Sequence, residues 1–305
     1  MPKNVIVIGG PTASGKSALA IDLALELNGV VINADASQVY KGIPIISAAP
    51  CAEDYNTVEH LMYEYLDAAV NGNVCMWLDE AVKTVRKVIS CGKTPIIVGG
   101  TGLYIDNLLN GTTPIPEVKP EIRREVALLA EKENLYQKLS AVDKAAADML
   151  NPNDSTRVRR AYEIFLSTGK SIAEWYLQPM VQKLPEAEFL TIALLPPKPI
   201  LDERCDLRFG KMIAAGALEE VKYLMSRNLP PNLPAMRAKG VPELIAALKN
   251  EISLDEAIAL AQLHTRQYAK RQLTWFRNKL QADLILPECY IGQKNFINDV
   301  KKQYK

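Results

Sequence analysis

The chain has 305 residues, of which 48% are hydrophobic, so it can bury a sizeable core and does not belong to the disordered class. This length predicts one large domain that carries an insertion, or two domains. The 36 basic and 35 acidic side chains leave a formal net charge of +1, so only local clustering of charge can create a nucleic-acid site.

The chain opens with a predicted strand, a glycine-rich loop and a predicted helix. The apolar run at residues 5–8 indicates a buried parallel strand, and residues 18–25 are rich in helix formers. Between them lies the sequence G-P-T-A-S-G-K-S, which in this context is a phosphate-binding loop. We predict that a diphosphate or a triphosphate binds to Gly10, Pro11, Thr12, Ala13, Ser14, Gly15, Lys16 and Ser17.

The residue types of this loop explain that chemistry. Glycines let successive backbone N–H groups point inward, and the N-terminus of the following helix adds its positive dipole end. Lys16 supplies a point charge for the outer phosphate, and the hydroxyl of Ser17 suits Mg²⁺, which is the cofactor that we expect. The sequence leaves open whether ATP or GTP also enters the loop.

Two further predicted strands end in segments that suit the same site. The strand at residues 29–33 leads to Asp35, and the strand at residues 94–98 leads to a glycine-rich segment that contains Thr101. Because the carboxyl ends of parallel strands meet at one edge of a sheet, we predict one composite active site on a doubly wound α/β fold. Three roles are open for Asp35: Mg²⁺ ligand, general base or turn residue. Thr101 either binds a substrate or caps the next helix.

The pattern changes to helices in the middle of the chain. Residues 119–186 have helical spacing and few glycines, whereas strand character returns at residues 189–195. We therefore predict a P-loop core domain at residues 1–118 and 187–305, with a helical insertion domain at 119–186. Further helices are predicted at 200–225, 241–248 and 254–280, and a loop at 44–50, with a last short strand at 282–286.

Two basic stretches are candidates for RNA binding. Arg157, Arg159 and Arg160 cluster at a predicted helix start, and residues 264–279 contain five basic side chains and no acidic one. Such a helix face is either a solvated surface or a site for the phosphate backbone of a nucleic acid. In the second stretch, the basic residues that share one helical face are Arg266, Lys270 and Arg277.

Four segments together resemble the tRNA dimethylallyltransferase family. They are the phosphate loop at 10–17, D-A-S-Q-V-Y at 35–40, V-G-G-T-G-L-Y at 98–104, and T-R-Q-Y-A-K-R-Q with W-F-R at 265–277. The resemblance implies transfer of a dimethylallyl group from dimethylallyl diphosphate to N6 of the adenosine just 3′ of the tRNA anticodon. It also implies Mg²⁺ and a helical insertion that grips the anticodon stem-loop.

The resemblance further implies roles for single residues. Thr101 would help to hold the reacting centre, residues 35–38 would contact the base, and Arg123 with residues 156–160 would contact the RNA. With the basic helix face, the expected tRNA contacts are Asp35, Ala36, Ser37, Gln38, Thr101, Arg123, Thr156, Arg157, Val158, Arg159, Arg160, Arg266, Lys270 and Arg277. Reaction chemistry independently favours Asp35 as general base, because the weakly nucleophilic exocyclic amine must lose a proton. Lys16 and Thr101 complete the expected catalytic set.

Two alternative functions stay open at this point. A kinase of a nucleotide or small molecule would use the same phosphate loop, and a prenyltransferase of free adenine nucleotides would use the same chemistry without a basic insertion. One departure from the family pattern also stands, because residues 44–50 lack an Asp and a Lys that many members have near the diphosphate.

The remaining features concern the cellular setting. Five scattered cysteines without a C-x-x-C pair are typical of reduced thiols. No apolar run approaches about 18 residues, so we expect no membrane span, and the early first strand leaves no room for a signal peptide. We therefore expect a cytoplasmic protein, and we expect it to be a monomer.

Overall fold

The computed structural model describes residues 4–304, which divide into two compact units. Residues 4–109 and 184–304 form the larger unit, and Asn110–Lys183 form the smaller one. None of the helices within the described range is both long enough and apolar enough to cross a membrane.

The bounds of the smaller unit differ from the 119–186 that the sequence predicted, because both ends lie earlier in the chain. Thr112 and Val181 account for the shift. Their backbones pair antiparallel through two hydrogen bonds, with N···O distances of 3.0 and 2.8 Å. This bridge joins the two flanks of the helical segment, and no periodic pattern in the sequence marks it.

A six-stranded parallel sheet forms the centre of the larger unit. In spatial order its strands are β3 (His60–Leu61), β2 (Gly29–Asn33), β4 (Thr94–Gly99), β1 (Val5–Gly9), β5 (Phe189–Leu194) and β6 (Leu284–Leu286). Because β1 lies between β4 and β5, the strand order reverses beside it, and open α/β sheets bind ligands at such a point. The prediction of a doubly wound parallel sheet is confirmed.

Both faces of the sheet are buried, and β1 shows why. Val5 and Val7 belong to one apolar cluster, whereas Ile6 and Ile8 belong to another, and all four side chains are fully buried. A strand covered on both faces has a continuous β-branched run in place of an alternating pattern. That run is what made the strand visible in the sequence.

Helices of the larger unit provide these two layers. The first group is α1 (Lys16–Leu27), α2 (Pro44–Ser47), α3 (Ala52–Thr57), α4 (Val74–Ser90) and α5 (Gly102–Asn110). After the smaller unit follow α11 (Lys198–Ala214), α12 (Ala217–Ser226), α13 (Val241–Leu248), α14 (Leu254–Lys279) and α15 (Lys294–Tyr304). A short 3₁₀ turn at Ala235–Arg237 precedes α13.

The prediction of a loop at residues 44–50 is wrong, because Pro44–Ser47 forms α2. Proline suits the first turn of a helix, where its missing N–H removes no intrahelical bond. The N–H groups of Ile45 and Ile46 donate to the two carboxylate oxygens of Glu220, at 2.7 and 2.9 Å. A carboxylate from a distant helix thus accepts hydrogen bonds from the free N–H groups at the N-terminus of α2. No local sequence pattern predicts this contact.

The smaller unit is helical, as its sequence pattern predicted. Its helices are α6 (Pro120–Lys132), α7 (Leu135–Val142), α8 (Lys144–Asp148), α9 (Ser155–Thr168) and α10 (Ile172–Tyr176). Fully buried side chains such as Val126, Leu139 and Ile164 form a separate apolar core. Because this core supplies the apolar packing of the unit, its polar and charged side chains can lie on the surface.

Candidate active site

The phosphate loop connects β1 to α1, as the motif predicted. Gly15, with a φ of 93°, precedes the first residue of the helix, Lys16. The ammonium group of Lys16 donates to the carbonyl oxygen of Pro11 at 2.6 Å, and burial lowers the pKa of Lys16 to about 8. Ser14 Oγ is buried without a hydrogen-bond partner in residues 4–304. A bound phosphate oxygen would accept that hydrogen bond, so the loop fits an anion.

Three distant segments hold the backbone of this loop in place. Gln272 Oε1 accepts a hydrogen bond from the N–H of Thr12 at 2.9 Å. Arg204 Nε donates to the carbonyl oxygen of Ala13 at 2.8 Å, and the N–H of Tyr290 donates to that of Ser14 at 2.9 Å. The loop is therefore preorganised by α14, α11 and the segment before α15.

Gln272 also ties the phosphate loop to the end of β4. Its Nε2 donates to the carbonyl oxygen of Gly100 at 2.8 Å, and its side chain is buried. A Cβ atom at Gly100 would lie 2.3 Å from that nitrogen, so a side chain there would displace Gln272. Two of the four sequence segments that carried the resemblance, 98–104 and 265–277, therefore meet through this pair.

Asp35 and Thr101 lie at the ends of β2 and β4. Asp35 Oδ1 accepts from the N–H and the hydroxyl of Ser37, at 3.0 and 2.6 Å, so the turn role of Asp35 is real. Its Oδ2 has no hydrogen-bond partner in the described part of the chain. Thr101 Oγ1 accepts from the N–H of Ala36 at 2.9 Å and so joins the two strand ends. The base and metal-ligand roles of Asp35 both stay compatible with this geometry.

One cavity of the larger unit brings six of the predicted site residues together. Its wall includes Thr12, Lys16, Ser17, Asp35, Ser37 and Gln38. Gln38 also has a structural role, because its Nε2 donates to the carbonyl oxygens of Ser47 and Ala48, at 3.2 and 2.5 Å. The phosphate loop and the Asp35 turn therefore face the same space.

Sequence reasoning missed several residues of this wall, of which Arg208 matters most. Arg208 lies in α11, lines the cavity with Lys16 and makes no hydrogen bond or ion pair within residues 4–304. Burial lowers the pKa of Arg208, and the negative charge of Asp35 opposes that shift. No motif marks this position, so only the fold identifies it as a second cation of the site.

Tyr268 and Lys239 were also missed, and both line the cavity. The ammonium group of Lys239 lies 5.7 Å from the ring centroid of Tyr268, within cation–π range. Burial raises the pKa of Tyr268, so its hydroxyl stays protonated. Tyr268 lies in the segment 265–277 that the resemblance had singled out, and that was the signal available for it.

The metal prediction can be tested against the donor set. The described residues contain no cluster of three or more His, Cys, Asp and Glu that could hold a metal ion by themselves. Ser17 and Asp35, however, line the same cavity with hard oxygen donors. Mg²⁺ characteristically keeps several waters and binds one or two carboxylates together with substrate phosphates. The donor set therefore fits Mg²⁺ held jointly with a phosphorylated substrate.

The predicted RNA contacts of the smaller unit lie on α6 and α9. The side chain of Val158 is buried in the core, so only its backbone is open to a ligand. Arg157 pairs with Asp154, and both Arg159 and Arg160 approach Glu163, at 3.7 and 4.0 Å. Thr156 is exposed, and Arg123 lies 3.9 Å from Glu117.

The basic residues that were predicted to share one face of α14 differ in whether they already have an acidic partner. Arg266 makes a bidentate ion pair with Asp206, at 2.6 and 2.7 Å, so its guanidinium already has an acidic partner. Lys270 and Arg277 are exposed. Lys270 lines a surface groove with Arg271 and Lys279, and these cations are open to a polyanion.

A phosphate loop at the carboxyl edge of a parallel sheet, facing a carboxylate across one cavity, defines an α/β enzyme of the P-loop class. The family model described as IPP transferase matches residues 38–279. The tRNA dimethylallyltransferase of Rhodospirillum rubrum is 44% identical over 292 residues, which cover 95% of this chain and 90% of that protein. The chain belongs to the tRNA dimethylallyltransferase family and is a prenyltransferase.

Other relatives and solved structures agree with this assignment. The tRNA dimethylallyltransferase of Sphingopyxis alaskensis is 46% identical, over 90% of each chain. The full-length tRNA isopentenylpyrophosphate transferase of Bacillus halodurans has a TM-score of 0.71 and 30% identity, and covers 99% of this chain and 97% of its own. A eukaryotic dimethylallyltransferase acting on tRNA has a TM-score of 0.82 and 29% identity, over 98% and 77% of the two chains.

Proposed function

We propose that the protein transfers a dimethylallyl group from dimethylallyl diphosphate to N6 of the adenosine immediately 3′ of the anticodon of a tRNA. One observation carries this proposal: Lys16, Arg208 and Asp35 line a single cavity. Two cations suit a diphosphate leaving group, and a carboxylate suits the amine that must lose a proton.

The diphosphate is bound by the phosphate loop, with Lys16 and Arg208 compensating its charge. As the bond between C1 and the diphosphate oxygen breaks, its electron pair leaves with the diphosphate, and preorganised cations stabilise that developing charge. Mg²⁺, held by Ser17 together with the diphosphate, would add further charge compensation. An allylic carbon tolerates this departure because its positive charge is delocalised.

The acceptor step uses the other side of the cavity. The N6 lone pair forms the new bond to C1, and Asp35 Oδ2 takes the proton that N6 loses. Ser37 fixes the carboxylate through Oδ1, and this leaves Oδ2 for the proton. The adenosine must leave its stack to reach such a cavity, as other base-modifying enzymes require.

We further propose that the anticodon stem-loop is the bound part of the tRNA. Phosphate contacts position an RNA, and exposed arginines and lysines such as Arg157, Lys270 and Arg277 suit them. Arg157 is exposed in its ion pair with Asp154, so a phosphate can exchange for that carboxylate at little cost.

The test is incubation of the protein and Mg²⁺ with labelled dimethylallyl diphosphate and unmodified tRNA, followed by nucleoside analysis. We expect label on N6 of the adenosine 3′ of the anticodon, and none in a tRNA that carries guanosine there. Label on free adenine nucleotides with none on tRNA would contradict the proposal, and so would phosphoryl transfer from ATP to a small acceptor.

A further inference from the structure

The cavity has an apolar part that the reaction chemistry above does not use. The side chains of Ile46, Phe209, Met212 and Ala238 line it, and each is less than a tenth exposed. All four belong to the main apolar cluster of the larger unit. The apolar end of the cavity is therefore closed by the protein core.

Helix α11 places this apolar wall next to the diphosphate site. Arg208 and Met212 are four residues apart, so they share one face of the helix and lie about 6 Å apart along its axis. With the diphosphate beside Arg208, as proposed above, the hydrocarbon tail of the donor would extend toward Met212. The spacing is comparable with one isoprene unit and too short for two.

Part of the wall cannot retreat. Gly240 has a φ of 95°, and a Cβ atom there would lie 2.7 Å from the ring of Phe209 and 2.8 Å from Cδ1 of Ile46. Both side chains therefore pack directly against backbone. Met212 differs, because a methionine is unbranched and adaptable, and shortening it opens space without moving the main chain.

We propose that Met212 is the residue that sets the chain length of the prenyl donor. It closes the apolar end so that one five-carbon unit fits and a ten-carbon prenyl diphosphate does not. This inference rests on the proposed function, because it concerns the donor of that reaction.

The test compares dimethylallyl and geranyl diphosphate as donors to the same tRNA. For Met212→Ala we expect the ratio of kcat/KM for geranyl over dimethylallyl diphosphate to rise at least about tenfold, the discrimination that a few methylenes provide in an apolar pocket. Met236→Ala is the matched control, because Met236 is 8% exposed against 7% for Met212, lies in the same cluster and does not line the cavity. Its ratio should equal that of the wild type.

A second variant keeps the proposal testable if Met212→Ala does not fold. Ala238→Val narrows the same wall, and it should raise KM for dimethylallyl diphosphate while leaving inhibition by inorganic pyrophosphate unchanged. An unchanged donor ratio in folded, active Met212→Ala would overturn the inference, as would equal effects of Ala238→Val on both ligands. A wild type that transfers no dimethylallyl group would instead refute the proposed function.

Discussion

Helices α9 and α11 both carry arginines, and their surroundings differ sharply. In α9, Arg157 and Arg159 are exposed, Arg160 is half-buried, and all three lie beside acidic side chains. In α11, Arg208 lines a cavity with no ion pair in the described residues, and burial lowers its pKa. A cation kept without an acidic partner in a desolvated site is poised for an anionic ligand, whereas an exposed, paired cation contributes a diffuse field.

The comparison predicts two kinds of mutational effect. Substitution of a single cavity residue should slow the chemical step strongly, since few groups there stabilise the developing charge. On α9, a single substitution should have a small effect and several together a larger one. The effect on RNA binding should depend on salt concentration, because exposed charges are screened.

Replacing Asp35 by Asn should cause the largest loss. Asparagine keeps the Oδ1 acceptor that Ser37 binds, but its amide cannot take a proton. We expect the rate of a single-turnover prenylation to fall roughly 10²–10⁴-fold, while both substrates still bind. A Mg²⁺ titration of the same variant is the control, because recovery of the rate at high Mg²⁺ would show that Asp35 anchors the metal instead.

Arg208→Ala and Arg157→Ala test the two arginine environments directly. Loss of the cavity cation should lower kcat/KM by about 10²–10³-fold, the effect of removing one preorganised donor from a developing charge. Loss of the exposed, paired arginine should change it only a few-fold at moderate salt. Steady-state kinetics with dimethylallyl diphosphate and tRNA measures both, and equal losses would break the comparison.

The pH profile should report the buried Lys16. Because burial lowers its pKa from 10.5 to about 8, Lys16 in the free enzyme is charged below pH 8 and becomes neutral above it. We therefore expect kcat/KM to fall above about pH 8, approaching tenfold per pH unit. Lys16→Arg should move this decline to higher pH, because arginine keeps its charge. An identical alkaline limb in both proteins would assign it to another group.

Neutralising Arg157, Arg159 and Arg160 together, each to Gln, should have the mildest and most salt-dependent effect. Each lost phosphate contact should reduce the slope of log K against log salt by roughly one. A tRNA-binding titration at several salt concentrations measures this slope, and inhibition by pyrophosphate should be unchanged as a control. An unaltered slope would mean that these arginines are solvated surface residues that do not contact the RNA.

Local sequence was sufficient for five of the six strands and for the phosphate loop and Asp35 in the candidate site. The β-branched run at 5–8, the loop at 10–17 and the helix after it are contiguous, so their spacing alone predicts strand, phosphate loop and helix. Asp35 follows the same logic, because a residue just past a buried parallel strand must lie at the carboxyl edge. The roles of these residues in catalysis stay predictions.

Tertiary structure decided what local patterns do not encode. Arg208 lies in a helix whose sequence carries no motif, and it is a site residue only because α11 packs beside the phosphate loop. The helix at Pro44–Ser47 depends on the carboxylate of Glu220, and the clamp between Thr12 and Gly100 depends on Gln272. Each is a contact between residues far apart in the chain. Their energies depend on burial and geometry, which only the folded protein supplies.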